Sequence, residues 1–243
     1  MAPLPRFSPK TISFLRSLRR HNDREWFRER RDVYDAHVRG PMVAVIEQLA
    51  EDFHRFAPEF VATSKISLFR IYRDTRFSED KSPLKTHVAA IFPHRDLGRL
   101  EGAALYLEVA PTHVMFAGGL HAPSSPELQL IRDELALRYR RFRAITGSVG
   151  FRRTLGTLNG KVLQRVPHGY PRDHPGADLL RRREFLVSKK YPANFAAEPR
   201  FYRELLRVFR QIVPLVRFLN QPLINRAKDP LLKQKGSNYV AIE

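Results

Sequence analysis

Between Phe69 and His87 the chain reads FRIYRDTRFSEDKSPLKTH. Arg70, Arg73, Arg76, Lys81, Lys85 and His87 stand there against only Asp74, Glu79 and Asp80. A guanidinium presents a planar fork of donors that suits phosphate or carboxylate, and an ammonium adds a point charge. Histidine titrates near neutral pH or donates to an anion. The expectation is an anion site held by Arg73, Arg76 and Lys85, with Arg70 and Lys81 assisting and His87 as the candidate acid–base group. The hydroxyls of Thr75 and Ser78 would complete an oxygen-binding nest. A competing reading pairs Asp74, Glu79 and Asp80 with these cations, so that the charges only pin a hairpin together.

Two further stretches invite a site. In FAGGLHAPSSPEL, Gly118 and Gly119 allow close backbone approach, and Ser124 or Ser125 caps a helix starting near Pro126; together these are a candidate anion-binding corner. A strand end followed by an ordinary capped helix is the simpler reading, because neither the Walker phosphate loop nor the dinucleotide-binding fingerprint is present. In PRDHPGAD, Asp173, His174 and Asp178 would serve metal binding or acid–base work, with a turn before a helix as the preferred alternative. The other histidines, His113 among them, fall into no recognised ligand spacing, and no nucleophile elbow or zinc-protease signature occurs. No cofactor and no metal is indicated.

These residues sit in a 243-residue chain, enough for one large domain or two small ones with a real core. The absence of cysteine excludes disulfides, thiol catalysis and thiolate metal sites. No apolar run approaches a membrane span, and MAPLPRFSPK does not read as a signal peptide, so a cytoplasmic protein without membrane insertion is expected. The net charge is +18, with 33 Arg against 10 Lys. Such a field attracts nucleic acid or anionic metabolites. Arginine preference of this kind also follows from a GC-rich genome. The clusters RYRRFR (138–143), RRR (181–183) and KK (189–190) suit nucleic acid, although Phe142 reads as core within a helix whose arginines face solvent.

Apolar periodicity places the elements that would hold the site. Ser8-Pro9 starts a helix running to about Arg20. A second is expected from an Asn22 cap with Glu25 completing a capping box, broken at Gly40-Pro41. Met42, Val45, Ile46, Leu49 and Phe53 mark a third over 41–57. Strands are expected at 66–73, 86–92, 101–110, 112–120 and 184–191. In the first of these, Arg70 and Tyr72 take one face and Arg73 the other, while Lys85 and His87 share a face of the second. Helices follow over about 126–145, 148–156 and 199–219, the last kinked at Pro214. The tail from 221 is expected to be mobile. Helices, then an antiparallel meander of about five strands, then helices again make an α+β class, a single domain over 1–243.

Four stretches, in this order, carry a family resemblance: FLRSLRRHNDREWF, FRIYRDTRFSEDKSPLKTH, FAGGLHAP and GYPRDHPGADLLRRREFLVSKK. Over about residues 7–220 the chain resembles the bacterial and fungal family known as domain of unknown function 2461. His21-Asn22 stands where members often carry Asn-Asn, and Leu84 where they often carry an aromatic. The resemblance implies a single α+β domain and no particular activity, substrate or catalytic residue. The functional expectation therefore rests on the residues: a protein, in one form an enzyme, that binds a phosphate or carboxylate at the 70–87 hairpin. The alternatives are a nucleic-acid binder using its overall charge and an interaction protein whose hairpin is internally ion-paired.

Overall fold

A computed structural model describes residues 3–74, 76 and 79–228. In chain order the elements are α1 (Pro9–Arg20), α2 (Arg24–Glu29), α3 (Arg31–Tyr34), a π-helical turn (Asp35–Arg39), α4 (Gly40–Phe56), α5 (Ser64–Ser67), β1 (Val88–Phe92), β2 (Ala104–Val109), β3 (His113–Leu120), α6 (Ser125–Gly147), α7 (Val149–Leu155), α8 (Ala177–Leu180), β4 (Phe185–Pro192), a 3-10 turn (Ala193–Ala197) and α9 (Phe201–Lys228). The sheet is antiparallel, in the order β1-β2-β3-β4. The α+β class is as expected; among the described residues the sheet has four strands, where about five are expected.

The missing strand is the one expected over 66–73. Local hydrogen bonds override its strand-forming side chains. The Thr63 hydroxyl accepts from Ile66 N–H (3.3 Å), and the Ser67 hydroxyl donates to the Val61 carbonyl (3.2 Å), winding 64–67 into a helical turn. Beyond it the chain makes only single bridges, Leu68 to Ala90 and Tyr72 to Leu84.

The expected break at Gly40-Pro41 is also absent. Gly40 is helical (φ −56°, ψ −51°), and the π turn before it leads directly into α4. Pro41 has no N–H to give the His37 carbonyl four residues back. That carbonyl instead accepts from the Thr11 hydroxyl at 2.6 Å, so the orphaned group is satisfied by α1.

The chain divides into two compact units. One comprises the residues up to Phe92 with Tyr106–Ala117 and Ser188–Arg210; the other comprises Pro93–Leu105, Gly118–Val187 and the residues from Gln211. The first has a core of aromatic rings: Phe53, Phe92 and Phe209 meet at 5.6–6.5 Å, and Phe116 meets Tyr191 and Phe201 at 5.2 and 5.7 Å. Within this core buried Tyr202 donates to Asp52 at 2.7 Å.

In the second unit Phe142 packs on Phe185 and Phe218 at 6.0 and 5.2 Å, and buried Asn220 brackets the backbone of Ala103 with two hydrogen bonds. Ser124 and Glu127 form the capping box of α6. Helix α9 continues through Pro214 and Pro222 to Lys228, past the expected end at 219. The rest of the expected mobile tail, 229–243, lies outside the described residues.

Candidate functional site

The basic stretch is held by backbone pairing with itself. Arg73 N–H donates to the Pro83 carbonyl at 2.9 Å and Lys85 N–H to the Ile71 carbonyl at 2.8 Å, with Tyr72 opposite Leu84. Side-chain alternation in this pair puts Ile71, Arg73, Pro83 and Lys85 on one face and Tyr72 and Leu84 on the other. Asn22 secures it: its carboxamide donates to the Leu84 carbonyl (2.9 Å) and accepts the Leu84 N–H (3.0 Å). Asn22 is therefore not the expected helix cap. That place belongs to Asp23, which accepts from Trp26 N–H at 2.8 Å.

The strands then bring polar groups together. Leu105, Leu107 and Val109 of β2 turn into the core, and so do Val114 and Phe116 of β3. Tyr106, Glu108 and His113 take the opposite, half-buried face. His87, one residue before β1, completes a row across the neighbouring strands. The Glu108 carboxylate accepts from Tyr106 O–H at 2.7 Å. It lies 3.1 Å from His113 Nε2 and 3.9 Å from His87 Nε2. With its proton on Nε2, His113 donates to Glu108 and accepts from the Thr112 hydroxyl at Nδ1 (3.0 Å). His87 stands beyond hydrogen-bond reach of Glu108, which leaves its ring the less constrained of the two.

Electrostatics separate the roles. Burial, reinforced by the charge of Glu108, pushes the Tyr106 phenol well above its usual range, so Tyr106 remains a donor. Burial holds His87 below its ordinary 6.5; Glu108 opposes this, and Lys85, Arg73 and His113 add to it. Lys85 lies over the Phe69 ring at 5.0 Å, and Phe69 is 6.3 Å from Tyr106. Arg73 meets Asp80 at 2.7 Å, while its Nε is buried with no hydrogen-bond partner. The guanidinium is close, but hydrogen bonds from Ser82 do more to lower the Asp80 carboxyl.

Thus Arg73, Lys85 and His87 converge with Glu108 and His113. The remaining expected residues are placed differently. Arg76 forks onto Asp74 at 3.0 and 2.8 Å, an exposed pair in which those hydrogen bonds lower the Asp74 carboxyl to about 2. Arg70 and Lys81 are exposed. Thr75 and Ser78 lie outside the described residues.

Gly118 and Gly119 serve packing in the other unit. A Cβ on Gly118 would stand 2.6 Å from Ile212, and one on Gly119 (φ +121°) 1.9 Å from the Phe185 carbonyl oxygen. His174 accepts from Gly176 N–H at 2.9 Å and meets the Ala136 carbonyl at 3.1 Å, a turn fastening. Asp178 pairs with Arg143 at 2.7 Å. Phe142 is fully buried, as expected for RYRRFR. Among the described residues no three histidine or carboxylate groups have the arrangement of a metal site, and no helix is long and apolar enough to cross a membrane.

Sequence reasoning missed Tyr106, Glu108 and His113 as partners of His87. The available signal was phase: Tyr106 and Glu108 are two apart on a strand, and the short joint around Pro111 folds His113 back beside them.

A family model matches residues 10–218. The chain belongs to the family described as Conserved hypothetical protein (DUF2461). A search of curated proteins finds no match. The matched span of this family includes the basic hairpin, the Glu108 row and Asn22.

Proposed function

We propose that this protein binds a small phosphate or carboxylate ligand on the sheet face around Glu108. Arg73 and Lys85 hold the anion, and His87 gives or takes a proton. The Glu108 carboxylate, with Tyr106 and His113 donating to it, sets the local field. The supporting observation is the row His87–Glu108–His113, flanked by the face that carries Arg73 and Lys85. An imidazole with no side-chain hydrogen bond to a described residue, beside two cations, is poised for an anionic partner.

A panel of inorganic phosphate, phosphate monoesters, dicarboxylates and short oligonucleotides tests this by thermal shift on the wild type and Lys85→Ala, at two salt concentrations. Ligand in large excess over its Kd raises stability by roughly 2–4 kcal/mol. A shift by a small anion, lost in Lys85→Ala, supports the reading. A shift by oligonucleotides alone, erased by salt in both proteins, transfers the function to nucleic acid.

The pairs Arg73–Asp80 and Arg76–Asp74 favour a second reading, in which the charges serve the hairpin. Here no anion stabilises the protein, and Arg73→Met lowers stability by removing the Arg73–Asp80 pair, while Ser82 still holds Asp80.

A further inference from the structure

Tyr72 faces away from Arg73 and Lys85, and its ring meets Phe27 edge-on at 6.1 Å. Arg24, Phe27 and Arg28 share one stripe of α2 by the spacing i, i+3, i+4, and Arg31 opens α3 directly after the non-helical Arg30 (φ −116°, ψ 20°). These four residues and Tyr72 line a pocket of ≈ 220 Å³. No described carboxylate lines it. Arg28 pairs with Glu25 at 2.9 Å, with both side chains about three-quarters exposed, and Arg31 pairs with Asp35 at 2.9 Å. Arg24 makes no ion pair with a described residue. The walls are aromatic: Phe27 is buried, with the Arg31 guanidinium 6.0 Å from its ring centre, whereas Tyr72 is 44% exposed.

We infer that this pocket is a second, separate binding site, for a small phosphate monoester that carries a planar ring. Three guanidiniums around one opening suit the multiple oxygens and double charge of a phosphate. The Arg28–Glu25 pair is too exposed to compete strongly with it. The half-open Tyr72 ring offers a face or edge to a flat substituent. The volume is below that of pockets for drug-sized ligands, which matches one phosphate and one ring.

Calorimetric titration of the full chain with phenyl phosphate, inorganic phosphate and phenol tests this. Phenyl phosphate binds more tightly than either of the others. Arg24→Gln, at an exposed position, weakens it about tenfold, the usual value of a hydrogen bond to a charged group. Tyr72→Leu removes the advantage of phenyl phosphate over inorganic phosphate. In Lys85→Ala, which weakens the Glu108 face, a phenyl phosphate site sensitive to Arg24→Gln and Tyr72→Leu remains, which separates this pocket from that face. Phenyl phosphate affinity that is unaltered by Arg24→Gln, or lost only in Lys85→Ala, overturns the inference, as does no binding at all.

Discussion

The Asn22 carboxamide closes a two-hydrogen-bond ring on the backbone of Leu84, 62 residues away, at 2.9 and 3.0 Å. A side chain there does what a neighbouring strand would do. It fixes the segment from which Lys85 and His87 project. Asn22→Ala strands the Leu84 N–H and C=O, both part-buried, and lowers stability by about 1–3 kcal/mol. It also weakens anion binding, because Lys85 loses its fixed place. Denaturant unfolding and ligand titration of the same variant check both effects. Wild-type values in each would show that Leu84 is held by other means.

Gly119→Ala is expected to be the most damaging small change in the β3 end. Its φ is +121°, and a Cβ would stand 1.9 Å from a backbone oxygen. Both strain and overlap must be relieved by moving β4, at a cost of roughly 3 kcal/mol or more. Gly156→Ala is the matched comparison: φ is +73°, but nothing lies within 4 Å of the added carbon. That variant bears conformational strain alone, about 1–3 kcal/mol, since Gly156 has φ +73° and ψ −119°. Thermal unfolding of the pair distinguishes packing from backbone freedom.

Glu204 makes part of the stability depend on acid pH. A hydrogen bond from Arg207, with help from Tyr191, holds its carboxyl at about 2, below the ordinary 4.5. The unfolded chain therefore binds this proton more readily than the folded one. The contribution is fully present above pH 4.5 and fades as pH falls towards 2. Arg207→Gln should flatten this segment of the stability–pH curve, reducing the change by about 1–2 kcal/mol after solvent screening. Unfolding by urea at a series of pH values between 2.5 and 7, on a ~0.5-unit grid, reads it.

Much of this architecture is legible from side-chain spacing. The stripe Met42, Val45, Ile46, Leu49, Phe53 marks α4, and all five residues are buried. Strands β1 to β4 fall within about three residues of the expected ends. The 66–73 segment misleads because its Ile, Phe and Tyr favour a strand, while Thr63 and Ser67 locally favour a turn. Long-range side-chain bonds have no local signature, so Asn22 reads as a helix cap and the link from Thr11 to His37 leaves no trace in the spacing.

The site was half legible for the same reason. The density of Arg73, Lys85 and His87 stands out in one stretch. Glu108 lies on another strand and becomes their neighbour only through the sheet order. Arg76 could not be separated from Arg73 by composition; the difference is that Asp74, two residues away, takes its fork.

The most direct measurement follows the His87 imidazole by NMR through a pH titration, with and without saturating inorganic phosphate. Lys85→Ala and Arg24→Gln run alongside. In the free protein, burial and the nearby cations keep the pKa of His87 below 6.5. The stability tied to the neutral ring is thus present above pH 6.5 and lost as pH falls through the folded value. Phosphate seated by Arg73 and Lys85 offsets those cations, so it raises the pKa of His87. The rise persists in Arg24→Gln and disappears in Lys85→Ala. A His87 titration curve that phosphate and the other small anions leave in place contradicts the proposal, and returns the arginines of the hairpin to a purely structural role.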